Sequence, residues 1–268
     1  MNRREFVSAA VSASFFFSGS ATAQVETVES IISEISADPT TVENAWLYRE
    51  PDVSRGVGHG EPSKRRLSKA PTDLIIAFEI ASRAAYEARY RRPIWPKGMS
   101  GVTIGIGYDL AFSSKSFIER DWPQLSKSNR ALLTSVVGLQ GVYAKNALSR
   151  VASVDVPWDM ALTQFKDFIP YPTKETEEAF PNCDKLSDDS FGALVSLVYN
   201  RGPKISRNSQ RRIEMYNIQQ HMKNMEFDQI PAEIIAMKHL WQGDPNARGL
   251  LRRRDAEALL FKSGLPHS

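Results

Sequence analysis

Gly98-Met-Ser-Gly-Val-Thr-Ile-Gly-Ile-Gly-Tyr-Asp-Leu110 is the stretch on which the reading of the chain turns. It alternates with period two: Val102, Ile104, Ile106, Tyr108 and Leu110 fall on one side, and Gly101, Thr103, Gly105, Gly107 and Asp109 on the other. The first face is apolar and can pack on a core. The second is nearly bare backbone carrying one hydroxyl and one carboxylate, the kind of surface that lines a cleft where a ligand comes close. A straight strand would hold Thr103 and Asp109 roughly 20 Å apart, too far to act on one water molecule. For the two to act together, Gly105 and Gly107 must turn the chain, so a hairpin or sharp bend is expected here.

Upstream, Thr72 can cap a helix that begins Asp73-Leu-Ile-Ile and stops before Pro93. Leu74, Phe78, Ala81, Ala85 and Ala88 form its apolar stripe, and Glu79 lies one position off that stripe, at the edge of an apolar surface. Two readings of Glu79 stand side by side: a functional acid, or a surface residue paired with Arg83 at i+4. Asp109 likewise reads either as a functional carboxylate or as a cap for the turn that starts at Leu110.

Downstream the pattern is helical. Residues 129–150 carry two or three turns of apolar spacing broken at Gly138 and Gly141. Pro157-Trp-Asp-Met starts a further helix that ends near Pro170 and Pro172. Residues 187–199 have a serine cap and a very apolar body, the signature of a central buried helix stopped at Asn200-Arg-Gly-Pro203. Segments 211–223, 231–241 and 250–261 complete a helical lobe. The Arg252-Arg-Arg254 run reads as a solvated face salt-bridged to Asp255 and Glu257, with contact to acidic groups of a ligand as the alternative.

The beginning of the chain reads differently. Residues 1–23 have the form of an export signal: Arg3-Arg4-Glu5-Phe6 of the twin-arginine type, a short apolar stretch, and Ala21-Thr-Ala23 as a cleavage site. A periplasmic or secreted protein is expected. Residues 24–70 read as an N-terminal extension and linker, with a short amphipathic helix over 25–35 and a Pro-, Gly- and charge-rich part from 50 to 69. This extension offers a place for a protein partner, and Lys64-Arg-Arg66 reads as solvated linker charge. Residues 71–264 remain as the folded domain.

Composition narrows the chemistry. A net charge of +3 over 268 residues gives no nucleic-acid footprint, and no apolar run of 18 residues is present to span a membrane. The single Cys183 excludes an internal disulfide and reads as a packed thiol. His59, His221, His239 and His267 are scattered without ligand spacing, so no metal is expected. Gly105-Ile-Gly107 lacks the third glycine of a dinucleotide loop, and no cofactor is implied. No G-x-S-x-G elbow occurs. Carboxylate chemistry remains.

Glu79 on a helix followed by Thr103-Ile-Gly-Ile-Gly107 resembles the glutamate and T-I-G-x-G hairpin of phage-type lysozymes, and the continuation Tyr108-Asp109-Leu110 is closest to the pesticin-like branch. Ala193-Leu-Val-Ser-Leu-Val-Tyr-Asn-Arg-Gly202 resembles the central helix of that family, and Trp241 with Gly249-Leu-Leu-Arg-Arg-Arg-Asp-Ala-Glu257 its terminal helix. The resemblance implies an α+β, mainly α, lysozyme-like fold, in which a small glycine-rich β-hairpin lobe packs on a larger helical lobe. It further implies a muramidase that cleaves β-1,4 glycosidic bonds of peptidoglycan, with Glu79 as general acid and Asp109 and Thr103 positioning water. Tyr199 and Asn200 would contact substrate. In phage lysozymes the second carboxylate precedes the threonine. Here no acid does, so that role can fall only to Asp109. Apolar surroundings favour a protonated Glu79, and a polar glycine face an ionised Asp109. Two other functions stay open: a lytic transglycosylase, which needs the glutamate alone, and a non-catalytic wall-binding module.

Overall fold

The most apolar segment of the chain, after the cap residue Ser187, folds as a helix over Asp188–Arg201 with nearly every side chain buried. The Ser187 hydroxyl accepts the Ser190 amide, satisfying one orphan donor of the first turn. Its other end stops at Gly202, whose φ of 76° suits glycine. The computed structural model describes residues 25–48 and 60–266, so the expected export signal and half of the linker lie outside the described residues.

In chain order the helices are α1 (Val28–Ala37), α2 (Pro39–Ala45), α3 (Lys69–Ile80) and α4 (Arg83–Arg89). Two short strands follow, β1 (Thr103–Ile104) and β2 (Tyr108–Asp109). The remaining helices are α5 (Lys115–Asp121), α6 (Lys127–Thr134), α7 (Gly141–Ala147), α8 (Trp158–Phe168), α9 (Pro170–Ala179), the central α10 (Asp188–Arg201), α11 (Ile213–Asn224), α12 (Ile230–Ala236) and α13 (Arg248–Ser263). The protein is mainly helical with one small antiparallel sheet. Among the described residues no helix is long and apolar enough to cross a membrane.

Three helices meet at the centre. α10 packs against α3 and α13, and α3 comes so near that a Cβ on Gly192 would stand 2.3 Å from the Pro71 ring. The amphipathic helix expected over 25–35 forms as α1, one turn shifted. Thr27 and Ser30 cap it reciprocally. Its Val28, Ile31 and Ile35 are buried against α3 and α13, and Val42 of α2 joins them. Gly249 of α13 meets the Thr41 carbonyl of α2, where a Cβ would come within 2.5 Å. Residues 25–48, set apart in the sequence as part of an extension, therefore share the core of the residues that follow.

Several local expectations need correction. The single helix from Asp73 to Pro93 is two helices. Ala81 takes φ 62° and ψ −62°, and the Ser82 amide donates to the Ile80 carbonyl at 2.8 Å, forming a γ-turn that breaks the rod. Ser82 then caps α4 through the Ala85 amide. A serine inside an apolar pattern was acting as a start signal. At the front, α3 begins at Lys69, and Thr72 donates to the Ser68 carbonyl instead of capping. Pro170 does not merely end α8: lacking an N–H that a first turn does not need, it opens α9. Cys183 is buried as expected, its thiol donating to the Phe180 carbonyl and its pKa pushed up to about 12 by burial.

Candidate active site

The glycine-rich stretch is a hairpin. β1 and β2 run antiparallel with Thr103 opposite Asp109 and Ile104 opposite Tyr108. The Leu110 amide donates to the Val102 carbonyl at 2.8 Å, which makes Thr103–Asp109 a non-hydrogen-bonded pair with its side chains close together. The separation of roughly 20 Å in a straight strand thus falls to about 5 Å between Cβ atoms.

The turn needs its glycines: Gly105 has φ +58° and Gly107 φ 77°, and a Cβ on Gly105 would meet the Trp122 ring at 2.7 Å. Ile106, at the tip, is buried, and the Tyr199 hydroxyl donates to its carbonyl at 3.0 Å. Tyr199, expected to touch substrate, is instead the buried clamp that ties the hairpin to α10. On its other side β1 is fastened by two bonds between Ile94 and Thr103, so the short ladder is held from both edges.

Glu79 is the last but one residue of α3 and is 3% exposed. Its partner is not Arg83. The γ-turn at Ala81 carries Arg83 away to lie over the Trp158 ring, 5.8 Å from its centre. Glu79 instead accepts Arg253 Nη1 at 3.0 Å, from α13. Arg253 also donates to Glu257 at 3.2 Å and to the Ser196 carbonyl and hydroxyl. The Ser196 hydroxyl donates to Glu257 at 2.7 Å, and Arg254 bridges Glu257 and Asn200.

The arginine run is therefore not a solvated face. Arg253 and Arg254 are interior, and Arg252, partly exposed, binds Glu26, Glu34 and Asp255. Among the described residues, two buried guanidiniums face two buried carboxylates in this cluster, so neither pair is an isolated interior charge.

Two small clefts open beside Glu79. One runs along Asn200, Gly249 and Arg253, and the other along Thr103, Gly105, Gly107 and Tyr90. Glu79 and Thr103 thus share a cleft, as do Glu79 and Asn200. Neither cleft is lined by Asp109 or Tyr199. The Asp109 carboxylate accepts the Gly101 amide at 3.1 Å and the Ala111 amide at 2.9 Å, capping the short 3-10 turn Leu110–Phe112. The capping alternative for Asp109 is realised. Its carboxylate also explains Gly101, since a Cβ there would overlap it.

The residues missed from the sequence are Arg253 and Trp46. Arg253 sat within a charge run, and nothing in its spacing pointed to a partner 174 residues away. Trp46 lines both clefts from a segment read as an extension. Among the described residues, no group of three or more His, Cys, Asp or Glu side chains is arranged to hold a metal ion. Comparison of the chain with family models and with curated proteins finds no match.

Proposed function

We propose that the protein is an exported muramidase with a lysozyme-like fold, hydrolysing the β-1,4 glycosidic bond of peptidoglycan. The observation that carries this reading is the shared cleft: an interior glutamate at the end of α3 and Thr103 of a glycine-rich hairpin line one space. Glycoside cleavage needs an acid at the leaving oxygen and an activated water on the other side of the sugar. Glu79 takes the first role. Arg253 keeps its bonds to Glu257 and Ser196 when Glu79 carries a proton. Thr103 holds the water, and the bare backbone at Gly105 and Gly107 admits the sugar ring. Asn200, on the far side of Glu79, contacts substrate, and Asp109 contributes by fixing the hairpin on which Thr103 stands.

One observation favours a second reading. Two oxygens of Asp109 are engaged by backbone amides, which suits a lytic transglycosylase acting through Glu79 alone.

Purified wild type and Glu79→Gln, compared on peptidoglycan by turbidity clearance and product analysis, separate the readings. A muramidase releases reducing ends, and loss of its general acid lowers turnover by about 10²–10⁴-fold. Anhydro-muramyl ends select the transglycosylase. Wall binding that neither releases product nor changes with Glu79→Gln selects a non-catalytic module and overturns the enzyme reading.

A further inference from the structure

The two clefts beside Glu79 share a second residue, Trp46. It opens the 3-10 turn Trp46–Tyr48 that follows α2. One cleft leads away toward Asn200 and Arg253, the other toward Thr103 and Gly105, and the indole stands at the border of both. Both are small, and a polysaccharide crosses its enzyme as a continuous ribbon.

Resting on the reading of Glu79 as general acid, we propose that Trp46 is a gate. The two clefts are halves of one groove over Glu79, and the groove becomes continuous when the indole swings out.

Three features support this. The flanks of the turn are fastened: Glu43 accepts the Tyr90 hydroxyl at 2.7 Å and Arg89 at 2.8 Å, and Tyr48 donates to Asp244. The motion is therefore confined to the turn and its indole, while α2 stays seated against Gly249. The ring meets Tyr90 edge-on, with centres 5.4 Å apart and planes at 68°. Finally, the indole N–H is buried with no acceptor among the described residues. A buried donor left without a partner penalises the closed position, and swinging into water relieves that penalty. The gate keeps water and wall polymer from Glu79 until a chain displaces the ring.

The test uses the full chain with Thr103→Cys as a reporter in the cleft. Cys183 is buried and its thiol lies far above neutrality, so a maleimide reads the reporter alone. Labelling should accelerate about tenfold when Trp46→Ala is added, the change expected if the closed position is favoured by a tenfold population ratio. Equal rates overturn the gate. Glu43→Gln lines neither cleft and should give a smaller acceleration with unchanged circular dichroism. That variant keeps the test alive if Trp46→Ala misfolds, and no acceleration there counts against the gate.

Clearance of peptidoglycan by Trp46→Ala with Thr103 intact should exceed that of wild type. Reduced clearance with a raised KM would make the indole a fixed sugar platform, and the gate would fall. If labelling responds but no variant clears the wall, the muramidase reading fails and the gate stands.

Discussion

Arg253→Met tests the buried charge cluster most directly. The guanidinium donates to Glu79, Glu257 and both Ser196 acceptors, four bonds in a dry interior. Methionine matches the stem but removes one positive charge and the donor shared by Glu79 and Glu257. Glu257 keeps Arg254 and the Ser196 hydroxyl. Breaking a buried pair from one side is destabilising by about 3–5 kcal/mol. At about 2–4 °C per kcal/mol for a chain of this size, Tm should fall by roughly 6–20 °C. Glu79→Gln should be milder, about 1–2 kcal/mol, because its amide oxygen still accepts from Arg253, which retains Glu257.

The double variant decides the matter. With Glu79 neutral, Arg253→Met no longer breaks an ion pair to it, and the double variant should be more stable than the sum of the singles predicts by about 1–3 kcal/mol. Urea unfolding followed by circular dichroism measures all four proteins. Additive effects, or a loss below about 1 kcal/mol in Arg253→Met, would refute the assignment of Arg253 as the counter-ion of Glu79.

Two further outcomes are expected. Gly105→Ala combines a φ of +58° with a Cβ 2.7 Å from Trp122, so it should destabilise by about 1–3 kcal/mol and reduce peptidoglycan clearance by displacing Thr103; unchanged Tm and clearance would remove the turn from the argument. Glu175 on α9 has its pKa raised to about 7, first by burial and then by the neighbouring charge of Glu178. Its folded pKa lies above the ordinary 4.5, so the folded state is penalised progressively as pH rises from 4.5 through 7. Glu175→Gln should therefore stabilise the protein at pH 8 by about 1–2 kcal/mol, discounted for partial exposure, and not at pH 4. An equal gain at both pH values would contradict this.

Much of the site was legible because its signals are local. The hairpin followed from a distance argument: two polar residues six apart cannot cooperate on a straight strand, and two glycines between them supply the positive φ that a tight turn demands. The central helix followed from a serine cap, an unbroken apolar body and a stopping glycine, and each of these acts within one turn of helix. Glu79 stood out as a carboxyl group on an apolar segment, and it is interior. Other elements were misread where two local signals competed. Ser82 within an apolar stripe is compatible with one long helix or with a new cap, and the Ser36 hydroxyl of α1, donating to the Ala81 carbonyl, supports the γ-turn that selects the second.

Sequence alone, then, determined the candidate residues and the turn that gathers Thr103 and Asp109, since backbone conformation and short-range capping depend on near neighbours. Tertiary structure decided what those residues face. Arg253 rather than Arg83 reaches Glu79, Asp109 spends its oxygens on Gly101 and Ala111, Tyr199 clamps Ile106, and Trp46 arrives from α2 to stand over the cleft. Such partners lie far apart in the chain or are chosen among many equivalent charges. The choice is made by burial: an interior carboxylate must find whichever cation the packing of α3, α10 and α13 brings within reach, and periodicity in one segment carries no information about the register of another.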